Sequence, residues 1–205
     1  MRSLAVSEET LSEIGAVLRS GGLAIFPTET LVGLGCRAAD DAAVARVVAL
    51  KGRPEGKGLP LIAADEEQVI AACGPLPEAA KRLARRFWPG PLTLVLRVAS
   101  RDRCAALAMV DGTVAIRIPG DAGARSLALA AGSPMVATSA NRSGSPPVAR
   151  VADVDPAIMA GVDLVVPGEC PGGPPSTIVE AWTDHPRILR SGAVTDDRVR
   201  EALVG

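Results

Sequence analysis

The segment KGRPEGKGLP, residues 51–60, places Lys51, Arg53 and Lys57 among three glycines. A phosphate-binding P-loop has the pattern G-x-x-x-x-G-K-[ST], in which backbone amides surround the phosphates and a hydroxyl holds Mg²⁺. The segment fails this pattern, because its glycines are one residue too close and Gly58 stands where Ser or Thr is required. We therefore expect any phosphate bound here to be held mainly by side-chain charge.

Small polar side chains follow two apolar runs that are typical of buried strands. Ligands of open α/β sheets gather at the carboxyl ends of strands, and hydroxyl and amide groups near glycines suit an anion. For each segment alone, a helix cap or an Asx turn is an equally good interpretation. The residues are Thr28, Glu29 and Thr30 in PTETLVGLGC, and Thr138, Ser139, Asn141 and Ser143 in TSANRSG.

Arg117 stands inside the apolar run TVAIRIP. An unpaired buried charge is costly, so this arginine needs either an open cavity or a salt bridge to an acid on a neighbouring element. The sequence leaves both alternatives open. Ser176 in PPSTIVE and Arg190 in RILRSG add a hydroxyl and a second guanidinium near strand ends. Together with the cations of residues 51–57, this inventory suits the binding of a polyphosphate and a carboxylate.

Several common catalytic and metal sites are excluded by the residues themselves. His185 is the only histidine and lies in the turn sequence TDHP, so no Ser-His-Asp, Cys-His or histidine-based metal site can be built. No G-x-S-x-G or G-x-G-x-x-G motif is present. The cysteines are too far apart for a zinc finger or a redox pair, and we expect small buried side chains. They are Cys36, Cys73, Cys104 and Cys170.

The composition, 48% hydrophobic and 22% charged in 205 residues, is typical of a soluble globular protein. A net charge of −1 excludes a broad basic field, so an anionic ligand must be held by a local cluster. The N-terminal residues lack the apolar core of a signal peptide, and no apolar run reaches the roughly 18 residues of a membrane span. We expect a cytoplasmic protein without membrane contact.

Strand-like runs alternate with helical runs, which predicts one α/β domain over residues 1–205. The short interval between LTLVLRV and TVAIRIP leaves room for antiparallel neighbours, so we expect a mixed parallel and antiparallel sheet with flanking helices. Ser7, Asp40 and Asp65 are candidate helix N-caps. Further helices are predicted in PEAAKRLARRF, DAGARSLALAA and DDRVREALV, and further strands in LAIF, LPLIAA, PMVATSA, VDLVVP, STIVEAW and RILR.

Six ordered blocks resemble the YrdC/TsaC family, the threonylcarbamoyl-AMP synthases. The resemblance covers about residues 8–194, and the short chain looks like the single-domain bacterial type. It implies a twisted mixed sheet around a wide, locally basic cavity. The blocks are FPTETLVGLGC, LKGRPEGKGLPLIAA, RFWPGPLTLVL, VAIRI, PMVATSANRSGSPP, and VVPG followed by PSTIVE and ILRSG.

The resemblance implies an ATP-dependent nucleotidyltransferase. Such an enzyme converts L-threonine, bicarbonate or CO₂, and ATP into L-threonylcarbamoyl-AMP and pyrophosphate. The product serves threonylcarbamoyladenosine modification of tRNA through downstream threonylcarbamoyl-transfer proteins, and Mg²⁺ is expected to arrive with the ATP. The threonine amine and the resulting carbamate are the nucleophiles, so the lack of an enzyme nucleophile is no objection.

The resemblance also implies roles for individual residues. Lys51 and Arg53 are expected to be catalytic and to face the ATP phosphates. Val32 departs from the family, whose members often have Tyr or Phe there, so an aromatic contact to substrate is lost. The implied ATP-binding residues are Lys51, Arg53, Lys57, Thr113, Ser139, Asn141 and Arg190, with Thr113 beside the adenosine. The implied threonine-binding residues are Thr30, Arg117 and Ser176.

Two other functions remain open at this point. The family's basic concave face has been interpreted as a site for double-stranded RNA or tRNA, and shape-based duplex contact needs few aromatic residues. A paralogue that forms a carbamoyl-adenylate with a different acceptor would keep the same fold, because related domains occur in carbamoyl-transfer enzymes of hydrogenase maturation. Dependence of pyrophosphate release on threonine separates the synthase from both.

Overall fold

The structure is a computed structural model that describes residues 8–54, 58–99, 104–105, 109–183 and 185–204. All nine strands of this part of the chain belong to one sheet, in the order β7-β1-β2-β6-β3-β5-β4-β8-β9. The strands are β1 (Ala24–Phe26), β2 (Gly33–Arg37), β3 (Leu61–Ile62), β4 (Leu92–Arg97), β5 (Thr113–Arg117), β6 (Met135–Ser139), β7 (Leu164–Val165), β8 (Thr177–Glu180) and β9 (Arg187–Arg190). The pairs β1·β7, β3·β5 and β4·β8 are parallel and the others antiparallel, which confirms the predicted mixed sheet.

The helices follow the predicted pattern closely. Asp40, Asp65 and Asp121 each cap a helix by accepting a backbone N–H with a side-chain oxygen. The predicted cap Ser7 lies outside the described residues. The helices are α1 (Glu8–Arg19), α2 (Asp41–Lys51), α3 (Glu66–Cys73), α4 (Glu78–Phe87), α5 (Ala122–Ala131), α6 (Pro156–Met159) and α7 (Asp196–Val204). Among these helices, none is long and apolar enough to cross a membrane.

Strand β2 was not predicted from the sequence. Its residues, GLGCR, are rich in glycine, which weakens a strand signal. Gly35 is required by close packing, because a Cβ atom there would lie 1.9 Å from the carbonyl oxygen of Val136 on β6. Long-range pairing with β6, rather than local propensity, therefore makes β2 a strand.

The predicted strands LPLIAA and VDLVVP are reduced to the two-residue strands β3 and β7.

The two faces of the sheet differ in how they are covered. On one face, the register aligns Leu61, Ile116, Leu94 and Val179 in the main core, against which helix α4 packs with its buried side chains. On the other face, α1 and α5 cover Ile62 and a smaller core. Further along this second face, Val95, Ala115 and Ile178 are only partly buried. The part of this face that carries Val95, Ala115 and Ile178 is therefore open, and we call it the open half-face.

The cysteines were predicted to be small buried side chains, and this is correct for all but Cys73, which is partly buried. All four cysteines are free thiols, and three of them are buried. Burial raises the pKa of Cys36 and Cys73 to about 12 and that of Cys104 to about 11. His185 is exposed in a turn, as predicted.

Candidate active site

Two adjoining cavities hold most of the side chains that were predicted from the sequence. The sheet cavity, of about 340 Å³, lies on the open half-face, and the loop cavity, of about 490 Å³, lies beside the end of α2. Arg53, Thr138 and Ser139 line both cavities, so a ligand can extend from one into the other. Of the predicted site residues, Thr30, Arg53, Arg117, Ser139, Ser176 and Arg190 line the sheet cavity, and Lys51, Arg53, Ser139 and Asn141 line the loop cavity.

Strand register places the floor of the sheet cavity. Leu94 pairs with Ile116, which puts Thr93 beside Arg117 on neighbouring strands. Thr93 in turn pairs with Ile178 on β8, and Ile178 pairs with Arg190 on β9. Because directly paired residues point to the same face, these side chains form one row across four strands. Arg117 and Arg190 thus lie on the same face of the sheet, although they are far apart in the chain.

Arg117 has both an acid partner and an open cavity, the two alternatives that the sequence left open. It is only 9% exposed, and its Nη1 donates to Oε1 of Glu29 in an ion pair, yet it also lines the sheet cavity. Burial lowers the pKa of the Arg117 guanidinium, the carboxylate of Glu29 raises it, and the charge of Arg190 lowers it further. An arginine in this position remains a fork-shaped donor for a carboxylate.

Arg190, Ser176 and Thr93 form a hydrogen-bonded group at the rim of the sheet cavity. The hydroxyl oxygens of Thr93 and Ser176 are 2.8 Å apart. Nη2 of Arg190 donates to the backbone oxygen of Ser176 at 2.7 Å and to its hydroxyl at 3.3 Å. Burial lowers the pKa of Arg190. The group holds a hydroxyl just before the start of β8 and a cation at the end of β9, near strand ends as expected from the sequence.

Thr28 shapes the turn that carries Thr30 into the sheet cavity. The Thr28 hydroxyl accepts hydrogen bonds from the backbone N–H groups of Thr30 and Leu31, both at 3.2 Å, and donates to the carbonyl of Leu31. The hydroxyl oxygens of Thr28 and Thr30 are 3.1 Å apart. The turn interpretation is therefore correct for Thr28. Both Thr28 and Thr30 also line the sheet cavity.

Lys51 is the last residue of α2 and is only 3% exposed. Its Nζ donates to the backbone oxygen of Ser139 and, at 2.7 Å, to that of Asn141. An ammonium has three N–H groups, and the described residues take two of them, so the third can serve a ligand in the loop cavity. Burial, reinforced by the charge of Arg53, lowers the pKa of Lys51 to about 8. Lys51 therefore both orders the loop after β6 and offers charge to an anion.

Arg53 and Asn141 complete the loop cavity. Nη2 of Arg53 donates to the carbonyl of Gly58 at 2.7 Å, and burial lowers the pKa of Arg53. The Asn141 amide nitrogen donates to the carbonyls of Arg142 and Ser145, at 3.0 and 2.5 Å. Both side chains are thus tied to nearby backbone, which fixes their positions before any ligand binds.

The three remaining predicted features are Thr113, Lys57 and Val32. Thr113 lies on the same face of β5 as Arg117 but at the first residue of the strand, and its hydroxyl donates to the carbonyl of Val110 at 2.8 Å. It lines neither cavity, so its contact with adenosine stays a prediction. Lys57 lies outside the described residues. Val32 is fully buried in the main core and also lines the sheet cavity, so this part of the wall is aliphatic.

Sequence reasoning did not assign a role to Glu29 or Thr93. Glu29 was noted only as a member of a polar segment, although an acid close to Thr30 was a candidate partner for Arg117. Thr93 stands in an apolar run, and its role depends on its position beside Arg117 and Ser176, which the sequence does not display. Its only local cue is that a hydroxyl interrupts the run LTLVLRV.

The charges of the two cavities fit an anionic ligand. Lys51, Arg53, Arg117 and Arg190 line them, and Glu29 forms an ion pair with Arg117. Within the described ranges, no group of three or more His, Cys, Asp or Glu side chains is arranged to hold a metal ion. The donor set is therefore suited to phosphates and a carboxylate.

Comparison with protein families and sequences gives a consistent set of relatives. The Sua5/YciO/YrdC family, described as telomere recombination, matches residues 16–192. A threonylcarbamoyl-AMP synthase of Bacillus subtilis is 36% identical over 203 residues, which are 98% of this chain and 58% of the relative. A protein of the same name from Stenotrophomonas maltophilia is 36% identical over 189 residues, which are 91% of this chain and 100% of the relative.

Solved structures show the same fold. Sua5 of P. abyssi in complex with L-threonine superposes with a TM-score of 0.86 at 34% identity, covering 96% of this chain and 58% of that one. YciO of E. coli gives a TM-score of 0.78 at 25% identity, covering 94% and 93% of the two chains. The chain thus spans somewhat more than half the length of several relatives and nearly the whole of others.

Proposed function

The chain belongs to the Sua5/YciO/YrdC family, and on this premise we propose that it synthesises L-threonylcarbamoyl-AMP from L-threonine, bicarbonate or CO₂, and ATP. The observation that carries the proposal is the pair of adjoining cavities with Arg53 and Ser139 in their common wall. One cavity suits a polyphosphate and the other an amino acid. Relatives named for this reaction, including one matched over its whole length, support the assignment.

The substrates are assigned to the cavities by charge. The loop cavity would take the ATP phosphates, with Lys51 and Arg53 facing them and Asn141 beside the nucleotide. The sheet cavity would take threonine, with Arg117 binding the carboxylate and the hydroxyls of Thr30 and Ser176 close by. Arg190 lines the sheet cavity and not the loop cavity, so its predicted contact with the ATP phosphates would require them to extend from the loop cavity into the sheet cavity. Sua5 of P. abyssi, a structural relative, has been solved with L-threonine.

The chemistry needs no nucleophile from the protein. The threonine amine loses a proton and forms a C–N bond with CO₂, or with bicarbonate as water leaves. A carbamate oxygen then bonds to the α-phosphorus, and the bond to the pyrophosphate leaving group breaks. Alignment of the reactants can supply about 7–11 kcal/mol of the barrier reduction. Lys51 and Arg53 would stabilise the charge that develops on the phosphate oxygens.

The wider setting is part of the same proposal. Mg²⁺ would accompany ATP and be held by the phosphates rather than by a protein cage. The product would be consumed by proteins that transfer the threonylcarbamoyl group to tRNA, and the enzyme would act in the cytoplasm. Contact of this chain with tRNA or double-stranded RNA stays a prediction from the resemblance.

Pyrophosphate release from ATP and bicarbonate, with and without L-threonine, tests the proposal. We expect release to depend on threonine, and Arg53→Ala to lower the rate on the order of 100-fold because charge stabilisation at the phosphates is lost. Arg82→Ala is the matched control, since Arg82 is exposed on α4 and lies outside both cavities. Release that is indifferent to threonine overturns the proposal, and release that depends on another amine indicates the paralogue with a different acceptor.

A further inference from the structure

We infer that Glu29 is a positioning residue for amino-acid recognition, holding the Arg117 guanidinium so that its remaining N–H groups meet the substrate carboxylate. The inference rests on the proposed function and adds a residue to it. Glu29 does not itself line the sheet cavity, so it acts through Arg117 rather than by touching the substrate.

The contacts of Arg117 leave one part of its guanidinium for a ligand. Its ion pair with Oε1 of Glu29 uses Nη1, and within the described part of the chain its side chain makes no other hydrogen bond. None of its nitrogens is both buried and unpaired. The nitrogens not used by Glu29 are therefore accessible, and the cavity that Arg117 lines is where they are reached.

Glu29 has no other polar task in the described residues. Its Oε1 accepts from Arg117, and its Oε2 is buried without a hydrogen-bond partner. A buried carboxylate oxygen without a partner is costly and needs an explanation. Among the described residues the carboxylate of Glu29 bonds only to Arg117, so its removal should act on Arg117 first.

The backbone holds Glu29 in place from both sides. The hydroxyl of Thr28 fixes the turn by accepting from the N–H groups of Thr30 and Leu31. The side chain of Glu29 also lies next to Gly120, since a Cβ atom added to Gly120 would be 3.6 Å from Cγ of Glu29. A carboxylate on so fixed a turn presents one orientation to Arg117, which is what preorganised recognition of a planar carboxylate requires.

Loss of the Glu29 charge should weaken carboxylate binding. Arg117 would keep its burial but lose its counterion and its orientation, and a rotated guanidinium cannot make two parallel hydrogen bonds to a carboxylate. The ATP phosphates are assigned to the loop cavity, which Arg117 does not line, so the KM for ATP should be unaffected. The expected signature is thus a change in the KM for threonine alone, as for loss of a binding contact shared by ground and transition states.

Glu29→Gln tests the inference with two substrates, L-threonine and L-threoninamide, which lacks the carboxylate charge. We expect the KM for threonine to rise on the order of 10-fold, with kcat and the KM for ATP unchanged. The KM for threoninamide should not change, so the preference for threonine over threoninamide should fall by the same factor. Glu180→Gln is the matched control, because Glu180 pairs with the exposed Arg187 on the same sheet and lines neither cavity.

The outcomes separate the possible failures. An unchanged preference for threonine over threoninamide in Glu29→Gln overturns the inference, as does an equal rise in both KM values, which marks a merely structural role. If Glu29→Gln does not fold, Glu29→Asp, which keeps the charge but shortens the side chain, should show a smaller loss of the same preference. Absence of threonine-dependent turnover in the unaltered protein would instead overturn the proposed function.

Discussion

Lys51 donates two of its N–H groups to backbone carbonyls of the loop after β6, and Arg117 donates to Glu29. Both cations are buried and both line a cavity, so each serves the structure and a ligand at once. Burial works against the charged form of a lysine but cannot remove the charge of an arginine under ordinary conditions. Lys51 is therefore the cation of the site whose charge should depend on pH.

ATP affinity should fall as the pH rises through about 8, the value to which burial and Arg53 lower the pKa of Lys51 from 10.5. The third N–H of the ammonium is present below that pH and lost above it. ATP binding favours the protonated form, so above pH 8 it should take up protons and weaken by up to about tenfold per pH unit. Calorimetry without threonine measures this dependence. Lys51→Met should bind ATP weakly and without the step, and an identical step in that variant would contradict the prediction.

At the scale of elements, two glycines position the site for different reasons. Gly52 ends α2 directly after Lys51, with φ of 57° in the left-handed region. Gly35 lets β2 lie close to β6, since a Cβ atom there would meet the carbonyl oxygen of Val136. The end of α2 and the pairing of β2 with β6 together place Lys51 beside the loop that it bonds.

Alanine at these two glycines should therefore destabilise the protein to different extents. Gly52→Ala meets no atom within 4 Å and carries only backbone strain, so we expect a loss of about 1 kcal/mol in the free energy of unfolding. Gly35→Ala must push β2 away from β6, with an expected loss of about 2–4 kcal/mol. Urea denaturation measures both. Equal losses would show that close approach of the strands is not the reason for Gly35.

At the scale of the whole molecule, the site is assembled from segments far apart in the chain. The turn after β1, the end of α2, strand β5 and the β8–β9 pair all contribute to the two cavities. A ligand that touches these segments together binds only the folded protein. Ligand binding should therefore stabilise the protein against unfolding.

ATP should raise the melting temperature more than adenosine does at the same concentration. At about 100 times its Kd, a ligand that binds only the folded state adds about 2.7 kcal/mol. The phosphates are expected to supply most of that binding through Lys51 and Arg53, so adenosine should have a much smaller effect. Differential scanning calorimetry measures the two shifts. Equal shifts would show that the nucleoside, rather than the phosphates, accounts for binding.

Local patterns in the sequence determined the helices, their aspartate caps and most strands. The predicted caps Asp40 and Asp65 each accept from a backbone N–H three positions away, and the alternation in TVAIRIP is a property of neighbouring residues. Ordered motifs likewise identified the family and the four cations that line the cavities, Lys51, Arg53, Arg117 and Arg190. These features depend on interactions within a few residues of each other, which the sequence displays directly.

The tertiary structure alone decided the pairing of β2, the partner of Arg117 and the division of the site into two cavities. GLGCR becomes a strand because β6 can approach Gly35, and Thr93 matters because register sets it beside Arg117. Arg117 could have had either a cavity or an acid, and it has both, since Glu29 lies on a distant turn that folding brings against β5. Such contacts are set by long-range strand order, which local residue preferences do not specify.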